Sequence, residues 1–317
     1  MPSSTADVIL SLSGLQKSYG DLEAVRKLSL EVFRGEVFGF LGPNGAGKTT
    51  TIQMICGLLR PDGGEIRIDG QLLQEGVRAL RHRIGLCPQE LVIWETLTCL
   101  EQLVFVGTQY DLSRRDARQR ALDLLDTLGL SEKRNRLAKT LSGGMKRRLN
   151  LALALIHDPE LLILDEPQAG LDPQSRVMVR EYILSLAREK TVLLTTHDMD
   201  EADRLAERIG IIDHGQLLVL DTPENLRQTH AGGDILEMAV GEKPSGLDGF
   251  LKDLPEDLIT LDSRPGTLRF TGPSLHDRMG LLFQSLESAG VEATNVTLRK
   301  PTLEDVFISL TGRGLRE

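Results

Sequence analysis

One stretch restricts this chain more than any other: Gly42-Pro43-Asn44-Gly45-Ala46-Gly47-Lys48-Thr49. The spacing G-x-x-x-x-G-K-[ST] has meaning only where a strand turns into a helix. Both neighbours fit. Val37–Leu41 is an apolar run of strand length, and Thr50–Leu59 has helical character and stops at Arg60-Pro61. Glycines let the backbone curl so that successive N–H groups converge on phosphate oxygens. The helix N-terminus adds partial positive charge. The cradle is assigned to Gly42, Pro43, Asn44, Gly45, Ala46, Gly47, Lys48, Thr49 and Thr50. Lys48 is expected to reach β- and γ-phosphates, and the Thr49 hydroxyl to face Mg²⁺.

The remainder of the chain agrees with an α/β fold. Strand-like runs at Val8–Leu12 and Leu28–Val32, with Glu65–Ile68 and the hairpin signal Asp69-Gly70, predict a small antiparallel sheet beside the cradle. From about 96 to 155 the pattern is helical, with Leu122, Leu125 and Leu128 at helical spacing and Gly129 as a stop. Strands at Leu161–Leu164, Val192–Thr195 and Ile209–Ile212 then alternate with helices at Gln174–Arg188 and Met199–Ala206, as a mostly parallel sheet requires. Thr229–Gly233 is a break in composition. We therefore expect one domain over 7–228 and a second, α+β, over 234–317. The second domain's order (strand, helix at Gly246–Leu251, strand, strand, helix, strand) resembles a ferredoxin-like module.

Bulk properties exclude several classes. No apolar run approaches the roughly 18–20 residues of a membrane span. Residues 1–7 lack a basic region followed by an apolar core. Three cysteines, widely spaced, suit a reducing compartment rather than a zinc site or disulfide framework. A net charge of −9 disfavours broad binding to nucleic acid.

Two further motifs carry chemistry. Leu161–Leu164 delivers Asp165 to a strand end beside the cradle, where it can hold Mg²⁺, and Glu166 follows, placed to polarise an attacking water. Leu141-Ser142-Gly143-Gly144-Met145 opens a helix over 143–157, with Ser142 as its cap and a second anion-binding N-terminus. Lys146, Arg147 and Arg148 read as a solvated face.

Leu-Ser-Gly-Gly between a P-loop and an Asp-Glu strand end resembles the signature of the ABC ATPases. Other family marks follow in order over residues 7–228. Gln89 matches the glutamine that senses Mg²⁺ and the attacking water. Ala169–Asp172 matches the loop that crosses the dimer interface, His197 the switch histidine and Tyr19 the aromatic that stacks on adenine. The resemblance implies ATP and Mg²⁺ as cofactors. It implies Glu166, His197 and Gln89 as catalytic, Thr49, Gln89 and Asp165 as the Mg²⁺ set, and Leu141, Ser142, Gly143 and Gly144 as contacts to ATP on the other subunit. It implies a homodimer or heterodimer of ATPase subunits, a separate multi-span permease and a place on the cytoplasmic face of the membrane. Gln168 departs from the family, where a small hydroxyl residue is usual.

The tail Arg299–Gly312 resembles exporter-type subunits, the group with daunorubicin-resistance and sodium-extrusion ATPases. The function expected is the motor subunit of an exporter. A soluble ABC ATPase acting on ribosomes or DNA is the competing reading; the chain has one cassette and no sustained heptads between Gly47 and Leu141. A cassette that binds without hydrolysing is disfavoured by Glu166 and His197. Two surfaces are expected to meet other elements. Gln89–Leu103, with Trp94, is read as a docking groove for the permease. The terminal helix, capped by Thr302 with Asp305 three residues on, puts Leu303, Val306, Phe307 and Leu310 on one face. That face covers either the tail's own sheet or a partner subunit.

Overall fold

The computed structural model describes residues 7–73, 80–187, 189–240, 259–261, 266–272 and 275–312. They fall into two units, which divide between Asp221 and Thr222. The division lies ahead of a helix over Pro223–His230 that the sequence pattern did not reveal.

In the first unit, strands β1 (Val8–Tyr19) and β2 (Leu22–Phe33) form a long hairpin. Both exceed the apolar runs that announced them, because their outer halves alternate with polar residues and lie over solvent. β3 (Val37–Leu41) runs into the glycine turn and helix α1 (Lys48–Ile55). α1 ends before Leu59 because Gly57 takes a left-handed φ of 65°. β4 (Gly63–Ile68) and β5 (Gln71–Leu72) complete an antiparallel sheet of order β2-β1-β4-β5.

β6 (Ile84–Cys87) was not legible: it is four residues long and contains Gly85. A Cβ at Gly85 would meet the Ala154 carbonyl oxygen at 2.3 Å, so close packing on a neighbouring helix excludes a strand-favouring residue there. The helical insertion follows: α2 (Cys99–Gln109), α3 (Arg114–Thr127) and α4 (Gly143–Leu155), capped by Thr98, Ser113 and Ser142. Then come β7 (Leu161–Asp165), α5 (Pro173–Leu186), β8 (Thr191–Thr196), α6 (Met199–Leu205), β9 (Arg208–Asp213) and β10 (Gln216–Asp221).

The central sheet has order β10-β9-β3-β8-β7-β6. All neighbours are parallel except β9 and β10. Both faces are buried, and β7 shows why its sequence is continuously apolar. Leu161 and Ile163 join Phe38, Phe40 and Leu193 on one side. Leu162 and Leu164 join Val37, Val192, Leu194 and α4 on the other. The strand ends of β3, β7 and β8 are thereby fixed side by side.

The second unit opens with α7 (Pro223–His230), capped by Thr222. β11 (Asp234–Val240), β12 (Ile259–Leu261), β13 (Thr267–Gly272) and β14 (Ala293–Arg299) form an antiparallel sheet of order β12-β13-β11-β14, with α8 (Leu275–Ser288) between β13 and β14. That order is the one a ferredoxin-like βαββαβ module takes. The helix expected at Gly246–Leu251 lies outside the described residues. α9 (Leu303–Thr311) has the anticipated capping box of Thr302 and Asp305 and ends at Gly312 with φ 69°. Leu303, Val306 and Phe307 are buried and Leu310 half-buried, and the helix packs on α7. The face thus meets α7, a helix ahead of the tail, and not the tail's own sheet that one of the two readings has it cover. Asp305 accepts from Arg269 at 2.7 Å and Arg299 at 2.6 Å, pinning α9 to the sheet.

Candidate functional site

The cradle is fixed by backbone as much as by side chains. Gly42 N–H donates to Thr196 O at 3.3 Å and Gly215 N–H to Ala46 O at 3.0 Å. Gly47 has φ 100°, and a Cβ there would lie 2.3 Å from Ala24 O. No other residue fits, and a glycine at the helix start leaves the first N–H groups of α1 uncapped. Asn44 and Gly45 are exposed; Thr50 lies half-buried in the first turn of α1. Lys48 is 5% exposed. Its Nζ donates to Gly42 O at 2.7 Å and Pro43 O at 3.0 Å, and stands 3.8 Å from Glu166 Oε1. Burial lowers the Lys48 pKa, while Glu166 and Asp165 pull it up.

Asp165 and Glu166 close the other side. Thr49 Oγ1 donates to Asp165 Oδ2 at 3.3 Å, and Thr195 Oγ1 to Asp165 Oδ1 at 2.5 Å. Glu166 takes φ 47°, a left-handed conformation that costs a non-glycine residue roughly 1–3 kcal/mol. Its N–H is held by Thr195 O and Thr195 Oγ1, both at 3.1 Å. The strained turn aims the carboxylate back at the cradle. There Gln89 Nε2 donates to Oε2 at 3.0 Å, and His197 Nδ1 lies 2.9 Å from Oε1. Three motifs distant in sequence therefore converge on one buried carboxylate. Thr49, Asp165 and Gln89 offer hydroxyl, carboxylate and carboxamide oxygens, the hard donors that Mg²⁺ selects.

Behind His197, Thr196 Oγ1 donates to Glu201 Oε2 at 2.6 Å. Burial pushes the Glu201 pKa up to about 7 against that hydrogen bond. Sequence reasoning missed Glu201; its one signal is an acid on the first turn of a helix that enters the core.

The signature loop is placed differently. Ser142 caps α4 by accepting from Met145 N–H at 3.3 Å, and Ser142 and Gly143 are exposed. Gly144 packs so that a Cβ would meet Ser175 Oγ at 2.3 Å, and Leu141 is buried. Among the described residues no hydrogen bond or ion pair joins Ser142–Gly144 to the cradle of the same chain.

The reading of Arg147 and Arg148 as a solvated face is corrected: both are buried, and only Lys146 faces outward, pairing with Glu95 at 2.8 Å. Arg148 Nη1 donates to Leu128 O at 2.7 Å. Arg147 donates to five carbonyl oxygens: Pro88 and Gln89, both at 2.8 Å, Asp165 at 2.9 Å, Glu166 at 2.6 Å and Pro167 at 3.0 Å. One guanidinium thus ties the signature helix to the Gln89 segment and to the strained turn. Asn150, one turn on, accepts from Val92 N–H at 3.1 Å. The available signal was position: Arg147 and Asn150 sit three apart on a helix otherwise apolar on that face.

Tyr19 is 48% exposed at the tip of the β1–β2 hairpin, paired with Leu22. In the loop after Glu166, Asp172 caps α5 through Ser175 N–H at 3.0 Å. Gln168 is 8% exposed and its Nε2 has no hydrogen-bond partner among the described residues, so the departing residue leaves a buried donor next to the turn.

Comparison with known proteins settles the family. Residues 25–169 match the model described as ABC transporter. Over 311 residues the chain is 40% identical to a daunorubicin resistance ATP-binding protein of Streptomyces coeruleorubidus, covering 97% of each chain. This chain belongs to the ABC transporter family. Within it, this ABC ATPase is also 40% identical to a Nod factor export ATP-binding protein of Sinorhizobium fredii, over 99% of this chain and 89% of the relative. A dimeric ATP-binding cassette solved in a post-hydrolysis state with ADP and phosphate superposes with a TM-score of 0.62 and 28% identity, covering 67% of this chain and 98% of that one. The protein is an ATP-binding subunit and an ATPase. Among its described residues, no helix is long and apolar enough to cross a membrane.

Proposed function

We propose that this chain is the motor subunit of an exporter. It would close as a dimer around two ATP molecules and drive a separate membrane permease. The observation that carries the catalytic part is the convergence of Lys48, Gln89 and His197 on the Glu166 carboxylate. In this reading Lys48 leaves its two carbonyl partners for the β- and γ-phosphates. Glu166 accepts a proton from the attacking water, and His197, hydrogen-bonded to Glu166, holds the carboxylate and reaches the γ-phosphate. Mg²⁺ held by Thr49, Asp165 and Gln89 would neutralise charge on the phosphates. Tyr19 would take the adenine.

The shared site follows from the exposure of Ser142 and Gly143. A helix N-terminus with two glycines, open to solvent and unattached to its own cradle, suits phosphate brought by a second subunit. The dimeric cassette among the structural relatives supports this arrangement.

The permease reading rests on a groove of about 440 Å³ between the central sheet and the helical insertion, lined by Leu86, Pro88, Val92, Trp94, Leu153 and His157. Trp94 is 43% exposed and Val92 57% exposed. Pro88 and Asn150, which line the groove, also belong to the grip on the Gln89 segment, so a helix seated there touches the element that carries Gln89. Two relatives at the same identity carry names for different cargo, daunorubicin and Nod factors, which fits cargo selection by the membrane subunit. The deciding experiment measures phosphate release and permease co-purification for the parent and for Glu166→Gln. Turnover lost, with ATP binding and permease capture retained, is the expected result. A variant that hydrolyses MgATP at the parental rate overturns the assignment.

A further inference from the structure

The chain is acidic overall, at −9, yet residues 114–120 carry four arginines against one aspartate, and residues 133–139 carry four cations and no acid. Arg120 is spent on Asp158 at 2.5 Å. Arg114, Arg115, Arg118, Arg134 and Arg136 make no ion pair and no side-chain hydrogen bond among the described residues, and all five are exposed. Two of them, Arg114 and Arg118, line a cleft of about 710 Å³ between α2 and the start of α3. Leu100, Val104 and Phe105 give it an apolar floor, Arg114 and Arg118 line one wall a single helical turn apart, and Asn135 lies between Arg134 and Arg136. The one acid in the lining, Glu101, is held by its own capping box, accepting from Thr98 N–H and Thr98 Oγ1 at 2.8 Å.

A set of unpaired guanidinium groups repels itself unless it has an anionic partner. Guanidinium forks match phosphate oxygens in a bidentate way, and an apolar floor beside them suits the glycerol and upper acyl region of a lipid. Phe105 is 49% exposed and packs edge-on against Trp94 at 5.6 Å. Trp94 lines the groove proposed for the permease, so the two cavities adjoin through this ring contact.

We propose that this cleft and its arginine rim bind acidic phospholipid headgroups of the bilayer that holds the permease. The proposal rests on the reading of the chain as a membrane-peripheral motor subunit. Flotation of the purified full chain, without permease, on vesicles of phosphatidylcholine alone or with added phosphatidylglycerol tests it. Binding to the acidic vesicles only is expected, reversed by high salt. Arg114→Gln with Arg118→Gln should weaken it roughly 25-fold, at about fivefold for each arginine near the surface. MgATP hydrolysis and permease capture by that variant should stay at the parental level, which also shows that it folds. Equal flotation on both vesicles, flotation on neither, or parental flotation by the double variant overturns the proposal. So does lost permease capture without vesicle binding, which would identify an acidic protein segment as the occupant. Failure of the permease reading would appear separately, as no capture by the parent while acidic vesicles still bind.

Discussion

Two glycine-bearing loops each open a helix in the first unit, and they are built to opposite ends. The cradle before α1 starts at Gly47, which has no side chain to cap with, so the first N–H groups stay available. Around it stand Lys48, Asp165 and Glu166, all buried, with the Lys48 ammonium 3.8 Å from the Glu166 carboxylate. The loop before α4 starts at Ser142, which spends its hydroxyl on Met145 N–H, and among the described residues no ion pair or hydrogen bond joins it to Lys48, Asp165 or Glu166. The same local device therefore yields one helix start enclosed by charged side chains and one that is exposed and without them. What separates them is the cap residue and, more, the strand ends that stand behind the first loop alone.

The sharpest way to break this contrast is to disarm the enclosed site. Glu166→Gln should lower kcat by roughly 10²–10⁴-fold, the range a general base contributes, with MgATP affinity retained in equilibrium binding. Arg147→Met tests what connects the two loops. It removes five hydrogen bonds at once, three of them to buried carbonyl oxygens, and should cost on the order of 3 kcal/mol, read as a lower calorimetric Tm. Arg147→Lys should recover only part, because one ammonium cannot replace a planar fork with five donors. Unchanged stability in Arg147→Met would mean that the loops are not joined through this residue.

Ser142→Arg addresses the exposed half-site. Hydrolysis should fall about 10²-fold, as when a transition-state donor is lost, while ATP binding to dilute protein stays at the parental level. Equal loss of both would make the signature loop part of its own chain's site and erase the contrast.

The second unit has neither loop and offers a control. Burial pushes the Asp305 pKa up, but the hydrogen bonds from Arg299 and Thr302 outweigh it and hold it down at about 2. A folded pKa below the unfolded one gives stability that is full above the unfolded value, near 4, and is lost as pH falls toward 2. The loss should be about 2 kcal/mol, confined to this unit and removed by Asp305→Asn. The smallest effect is expected from truncation after Asp221, which should leave ATP affinity within about twofold, since no cradle residue is removed. Truncation after Gln228 instead splits α7 and exposes Leu226, and should yield less soluble protein.

Much of this molecule is legible in its sequence because its determinants are local. The glycine spacing of 42–49, the continuous apolar run before Asp165 and the capping box at Thr302 each specify a turn, a doubly buried strand or a helix start through nearest neighbours. The sequence alone therefore determined the α/β class, the position of the cradle, the strand-end acids and the strands and later helices of the second unit's described residues. It could not determine which polar residues are buried. Arg147 and Arg148 look like neighbours of outward-facing Lys146, and only the packing of α4 against β6 and β7 turns Arg147 toward five carbonyls. β6 itself, with four residues and a glycine, is a strand only because β7 lies beside it. The meeting of Gln89, Glu166 and His197 is likewise a product of strand order, since β6, β7 and β8 are adjacent in the sheet though far apart in the chain. Local propensity acts over a few residues, while burial and convergence depend on which surfaces the fold brings together, and tertiary structure alone decided those.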